Sequence, residues 1–260
     1  MRRLLNTLYV TSQGSRLSKE GLAIRIETEE KGVMLLPSHN LSGIVCFGRV
    51  WCSPPLMRFC ADSGIPIAFF DENGRFFARV EGPVSGNVHL RRAQYRAADS
   101  PEQSCALVRA LLAGKLANSR AVLRRFLRDH DSGDQTVATA ANRLTDLIGM
   151  LETAETVDSL RGIEGKAADV YFSVFDRLRT KPDEAFRFHG RSRRPPMDRM
   201  NALLSFAYAL LLNDMAAALE SVGLDPAVGF LHCDRPGRPS LALDMMEEHR
   251  AAIADRFALS

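Results

Sequence analysis

Gly82-Pro-Val-Ser-Gly86 separates two kinds of sequence. On its N-terminal side, Phe76-Phe-Ala-Arg-Val80 is the last of a series of short apolar runs. The others are Leu22-Ala-Ile-Arg-Ile26, Gly32-Val-Met-Leu-Leu36, Gly43-Ile-Val-Cys-Phe47 and Ile65-Pro-Ile-Ala-Phe-Phe70. Gly, Pro, Asn and Asp divide them, notably in the turn Asp71-Glu-Asn-Gly74, which is the pattern of a small sheet domain. Pro54 to Ser63 reads instead as a helix, with a proline-marked start and the stripe Leu56, Phe59 and Cys60. On the C-terminal side the apolar period becomes 3.6: Val88 to Ala98, Glu102 to Arg128, Val137 to Leu151, Thr156 to Arg179, Met197 to Val222 and Leu241 to the end. The expected chain is therefore α+β, with a small β-rich domain over 1–81, a hinge over 82–86 and a larger all-α domain over 87–260. Lys181 to Pro196 is its longest irregular stretch.

With 260 residues, 46% of them hydrophobic, the chain is long enough for a packed core. Its net charge is +3, too small to argue for nucleic acid by itself. The kind of basic residue is more informative, because Lys occurs only at 19, 31, 115, 166 and 181 and the rest of the 34 basic residues are Arg. Arginine's planar fork can grip a phosphate in two places. Cysteines at 46, 52, 60, 105 and 233 form no C-x-x-C pair, so neither a disulfide framework nor a zinc knuckle is indicated. The N-terminus carries no long apolar run, and no later stretch is expected to span a membrane. A cytoplasmic protein without a membrane partner is expected.

Three remote segments carry metal-type donors. Glu164 lies in Arg161-Gly-Ile-Glu-Gly-Lys-Ala-Ala168, on a helix whose inner face includes Leu160, Ile163, Ala167, Tyr171 and Phe175. A surface glutamate beside a buried stripe would read the same way, but glycines at 162 and 165 each cost roughly 1 kcal/mol in a helix and imply a close approach to the backbone. His232 ends Val228-Gly-Phe-Leu231, after the helix stop Gly223-Leu-Asp-Pro226 and before the loop Asp234-Arg-Pro-Gly-Arg-Pro239. Ser240 is expected to cap a last helix on which Asp244, Glu247 and Glu248 lie at i, i+3 and i+4. Carboxylates so placed repel unless a cation sits between them. An imidazole with carboxylates can hold a hard divalent cation while leaving positions open for substrate. Arg120, Arg124 and Arg128 repeat along one helix face, and Arg191, Arg193 and Arg194 follow in the irregular stretch, so a phosphodiester backbone is the natural substrate class.

Nine segments, in this order, resemble the CRISPR-associated integrase family, the Cas-one subunit of spacer acquisition, and within it the subtype C branch of type I systems. They are Leu4-Leu-Asn-Thr-Leu-Tyr-Val10, His39-Asn-Leu-Ser-Gly-Ile-Val45, Gly82-Pro-Val-Ser-Gly-Asn87, Gly162-Ile-Glu-Gly165, Phe188-His-Gly-Arg-Ser-Arg-Arg-Pro-Pro196, Asn201-Ala-Leu-Leu-Ser-Phe206, Gly223-Leu-Asp-Pro226, Gly229-Phe-Leu-His232 and Ser240-Leu-Ala-Leu-Asp-Met-Met-Glu247. The resemblance implies Glu164, His232 and Glu247 as ligands of Mg²⁺ or Mn²⁺, with Asp244 supporting the site or sharing the ion. It implies a sandwich-type β domain that forms a homodimer, a helical catalytic domain incomplete at its C-terminus, and a small Cas-two partner. The implied function is metal-dependent cleavage and strand transfer, inserting captured double-stranded DNA into a CRISPR repeat by 3′-hydroxyl attack. Two other classes stay open: a non-catalytic DNA-holding scaffold, and a zinc hydrolase, the latter disfavoured because no helical H-E-x-x-H is present.

Overall fold

The computed structural model describes residues 6–29, 32–80, 82, 88–180, 183–193 and 195–260. Most of the expected hinge (83–86) and Arg194 lie outside the described residues. The chain divides into two compact units, Met1–Gly86 and Asn87–Ser260.

In the first unit, β1 (Asn6–Val10), β2 (Arg16–Glu20), β3 (Ala23–Thr28), β4 (Gly32–Pro37), β5 (Leu41–Phe47), β6 (Trp51–Cys52), β7 (Ile67–Phe70) and β8 (Phe76–Val80) form two four-stranded sheets. One has the order β1-β5-β7-β8, parallel except for its last pair; the other has the order β4-β3-β2-β6. Alternate residues of each sheet, among them Ile44, Cys46 and Ile67 from one and Leu17, Ile24 and Ile26 from the other, share one core with Leu56 and Cys60 of α1 (Pro54–Asp62). That shared core makes the unit a two-sheet sandwich. Three strands are absent from the apolar runs read in the sequence, β1 among them. Arg16-Leu-Ser-Lys-Glu20 carries a single apolar residue, the buried Leu17, and β6 is only two residues long.

The second unit is helical: α2 (Val88–Asp99), α3 (Pro101–Asp129), α4 (Gln135–Thr153), α5 (Val157–Ser173), α6 (Arg199–Ser221), α7 (Ser240–His249) and α8 (Arg256–Leu259). Side-chain caps start four of them: Ser100 for α3, Asp134 for α4, Thr156 for α5 and Asp198 for α6. Each accepts from a backbone N–H that has no partner inside its helix. The buried stripes of α3, α4 and α5 meet in the main core around Leu112, Leu116, Leu144, Leu160 and Phe175.

Three expectations change here. The helix expected to run from Thr156 to Arg179 stops at Ser173 and tightens into a 3₁₀ turn over Phe175–Leu178. That turn brings Phe175 within 4.9 Å of the Phe188 ring, while Asp176 accepts from Phe188 N–H. Secondly, α6 is long and apolar enough to cross a membrane, although no such stretch was expected. Its apolar surface is broad because it serves several clusters: Met200 and Leu204 join the main core, Leu211 packs with Met246, and Ala216 and Leu219 pack with Leu241. Finally, the terminal helix is interrupted by a π-helical stretch, Arg250–Asp255, which turns Ala251, Ala254 and Asp255 inward.

Truncating the α3–α4 seam gives the expected test of this packing. Leu144→Ala lowers unfolding stability by about 2–5 kcal/mol in urea titrations, whereas Met150→Ala on the exposed side of α4 changes it by less than about 0.5 kcal/mol.

Candidate metal centre

Gly229 lies where the irregular segment after α6 presses against α7. A Cβ added there would come within 2.8 Å of Asp244 Oδ2 and of the Ser240 backbone, so only glycine fits. The approach lets Asp244, fully buried on α7, accept from Phe230 N–H (2.6 Å) and Leu231 N–H (2.9 Å) at Oδ2, and from His232 N–H (3.0 Å) at Oδ1. The same Oδ1 lies 2.6 Å from His232 Nδ1. Both carboxylate oxygens are thus committed to the backbone and ring of the His232 loop. Gln94 of α2 secures the earlier part of this loop through Asp225 N–H and the carbonyls of Asp225 and Val228, and Arg161 of α5 donates to Leu231 O.

Ser240 does not cap α7 as expected. The N–H groups of Leu241 and Ala242 donate to Pro226 O, and the buried Ser240 hydroxyl donates to Cys233 O. Loop and helix start are therefore tied together twice, with Pro239 in the capping position.

One turn beyond Asp244, Glu247 is buried and points elsewhere. Arg250 Nη1 reaches its Oε1 at 2.7 Å, and Lys115 Nζ of α3 lies 2.7 Å from its Oε2. The second contact is an ion pair by distance only; no donor among the described residues meets the buried Oε2 in hydrogen-bonding alignment. Lys115 Nζ also donates to Glu164 Oε1 of α5. Burial alone would raise the Glu247 carboxyl, but Lys115, Arg250 and His232 outweigh it and hold the group below the usual carboxylate range. Glu164 and Glu247 are thus gathered around one ammonium, with His232 near enough to act on Glu247 electrostatically. Among the described residues no three His, Cys, Asp or Glu side chains already form a metal-holding cluster. Among the described residues nothing lies within 4 Å of a Cβ built at Gly162 or Gly165, so none of them makes the close approach expected beside Glu164.

A cavity of about 40 Å³ opens on the Lys115 side, lined by Glu164, Glu247, Arg191, Arg193, Tyr208 and Arg250 among others. Arg191 donates to Asn201 Oδ1, and the guanidinium groups of Arg191 and Arg250 lie 5.3 and 4.8 Å from the Tyr208 ring centroid. Tyr208 in turn donates to Asp255 (2.6 Å). Burial pushes Asp255 up to about 6, although the hydrogen bond from Tyr208 and the charges of Arg250 and Arg191 pull the other way.

The arginine row on α3 is less uniform. Arg120 donates to Thr145, Arg124 is exposed, and Arg128 is paired with Asp129. Sequence patterns do not single out Lys115, Arg250, Tyr208 or Asp255. For Lys115 a signal exists in hindsight: one of five lysines in an arginine-rich chain, it lies at the edge of the buried Leu112-Leu116-Ser119 stripe.

Compared with known proteins, residues 8–260 match the family described as CRISPR associated protein Cas1. The CRISPR-associated endonuclease Cas1 1 of Chlorobaculum tepidum is 53% identical over 262 residues, covering 100% of this chain and 76% of that protein. A solved Cas1 protein from Thermotoga maritima superposes with a TM-score of 0.81 at 30% identity, covering 98% of this chain and 77% of the other. Two more distant structures share the fold. They are a casposase bound to integration product (TM-score 0.81, 23% identity, 98% of this chain and 72% of the other) and a Cas6-RT-Cas1–Cas2 complex (TM-score 0.77, 22%, 100% and 28%).

Two measurements probe this arrangement. Asp244→Ala strands three loop N–H groups and frees the imidazole, and is expected to cost about 3 kcal/mol or more in urea denaturation. Because Asp255 binds its proton more tightly folded than unfolded, its contribution to stability is full below about pH 4 and declines as pH rises through about 6, by about 3 kcal/mol at most. Asp255→Asn should flatten that decline in denaturation curves collected across the same range.

Proposed function

This chain belongs to the CRISPR-associated Cas1 family, and from that premise we propose that Glu164, His232 and Glu247 are the ion-holding residues of a DNA endonuclease and integrase of spacer acquisition. The observation that carries the assignment is the gathering of Glu164 of α5 and Glu247 of α7 about a single positive charge. A site built to hold two carboxylates with a cation between them suits a divalent ion. The buried Glu247 Oε2, lacking an aligned donor, is an oxygen with a lone pair to offer, and the mixed imidazole and carboxylate donor set suits Mg²⁺ or Mn²⁺, with Mn²⁺ bound at least as tightly. When bound, such an ion supplies Lewis-acid polarisation of a phosphoryl oxygen and relief of charge on the attacking and leaving oxygens.

The chain's own groups divide the remaining work. Asp244 accepts from the His232 loop at both oxygens, which fixes the imidazole and leaves Asp244 a positioning residue. Arg250 holds one oxygen of Glu247, leaving the other turned toward Lys115. Arg191 and Arg193 line the adjoining cavity, where guanidinium groups can bind the phosphodiester undergoing attack by a fragment's 3′-hydroxyl or by water. Exposed Arg124, with Arg120 and Arg128, extends positive charge along α3, as a track for double-stranded DNA requires. Arg194 joins this set by sequence only.

Captured DNA, the CRISPR repeat and a Cas2 subunit are the partners; a casposase with its integration product and a Cas1–Cas2 complex share the fold. The two-sheet unit, assigned residues 1–81, is the proposed dimerisation module, since it exposes Met34, Leu35, Trp51 and Phe77. Five free thiols suit action in the reducing cytoplasm.

Glu164→Ala, His232→Ala and Glu247→Ala are each expected to reduce strand transfer into a repeat-containing duplex at least about a hundredfold while DNA binding in gel-shift assays persists. Wild-type binding without nicking in Mn²⁺ would identify a scaffold instead.

A further inference from the structure

Lys115 has no part in the ion-holding set, yet it touches two of its members. Its placement is built rather than incidental. At the preceding residue, Gly114, an added Cβ would come within 2.8 Å of the Glu248 side chain, so α3 runs close against α7. Asn118, one turn on, fixes the same pair of helices by donating to Glu248 O (2.9 Å). Between these anchors the lysine ammonium lies against both Glu164 and Glu247, and its side chain is only 12% exposed.

We propose that Lys115 is a resident counter-charge: its ammonium keeps Glu164 and Glu247 paired before a divalent ion arrives and must be displaced for that ion to bind. The inference rests on the ion-holding assignment of the preceding section. Residue chemistry supports it. Arg250, with a fork that cannot lose its charge and a ring to lie on, takes Glu247 Oε1, while Oε2 receives a compact ammonium on a flexible stem. The Oε2 contact is a single ion pair, so displacement gives up one contact on that side while Arg250 keeps Oε1. The adjoining cavity, which Lys115 also lines, gives the displaced ammonium a place to go. Without a cation between them Glu164 and Glu247 would lose the contact that gathers them; with a permanent one the ion would be excluded. A lysine satisfies both conditions because its charge is held only by the stem.

The test titrates Mn²⁺ into the whole 260-residue chain after chelator treatment, followed by electron paramagnetic resonance of free Mn²⁺ and by thermal unfolding. Relative to wild type, Lys115→Met should unfold at lower temperature without metal, bind Mn²⁺ about tenfold more tightly, and gain more thermal stability from it. A purely structural lysine would leave affinity unchanged or weaken it, and either result in a folded Lys115→Met protein overturns the proposal. Should that variant not fold, Lys115→Gln carries the same expectation and the same refutation. Lys115→Arg, whose larger fork cannot withdraw as readily, should bind Mn²⁺ more weakly than wild type; wild-type affinity there also overturns it. Glu247→Gln separates the two assignments. Mn²⁺ binding that depends on Glu247 but ignores Lys115 refutes the counter-charge alone, whereas binding indifferent to Glu247, or absent from wild type, refutes the ion site itself.

Discussion

Glu247 is buried, and a buried carboxylate stays ionised only if positive charge is brought to it. Much of the helical unit can be understood as the means of doing so. Helix α3 supplies Lys115, the start of the π-helical stretch supplies Arg250, and the His232 loop adds its imidazole nearby. Glu164, contributed by α5, shares the lysine. Removing one partner from such a cluster costs more than forming it gains, since the remaining charge is then left buried alone. The interaction therefore ties α3, α5 and α7 together.

The second acidic residue of α7 solves a different problem. Asp244 lies one turn before Glu247, and the two face unlike surroundings: Asp244 receives backbone N–H groups and an imidazole, Glu247 receives side-chain cations. Like charges at this spacing coexist because each is compensated separately. Gly229 makes the first arrangement possible by removing the side chain that would hold loop and helix apart. The loop is irregular but not loose, since Gln94, Arg161 and Ser240 each satisfy part of its backbone.

Beside the carboxylates, positive charge falls into two sets. Arg191 and Arg250 are braced against Tyr208, and Tyr208 is braced by Asp255. The π-helical stretch brings Asp255 inward at the cost of regular helix geometry, a distortion often found beside functional sites. An open arginine row along α3 continues the charge outward. Arg128 is partly neutralised by Asp129, so the row is stronger toward Arg120 and Arg124.

Local periodicity determined the passage from short apolar runs to the helical period and most helix limits, because those depend on neighbours a few residues away. Residue type and the family resemblance of the ordered motifs singled out Glu164, His232, Asp244 and Glu247 as candidates. Strand β2 stayed hidden because one buried leucine makes no pattern, and the expected cap at Ser240 failed because Pro226, distant in sequence, supplied the acceptor. Tertiary structure alone decided that Asp244 serves the loop, that α6 is apolar because it fills several cores, and that a lysine from α3 stands between the carboxylates. Contacts of that kind join residues from 49 to 132 positions apart, as between Lys115 and its two partners, and depend on helix packing that no local period encodes.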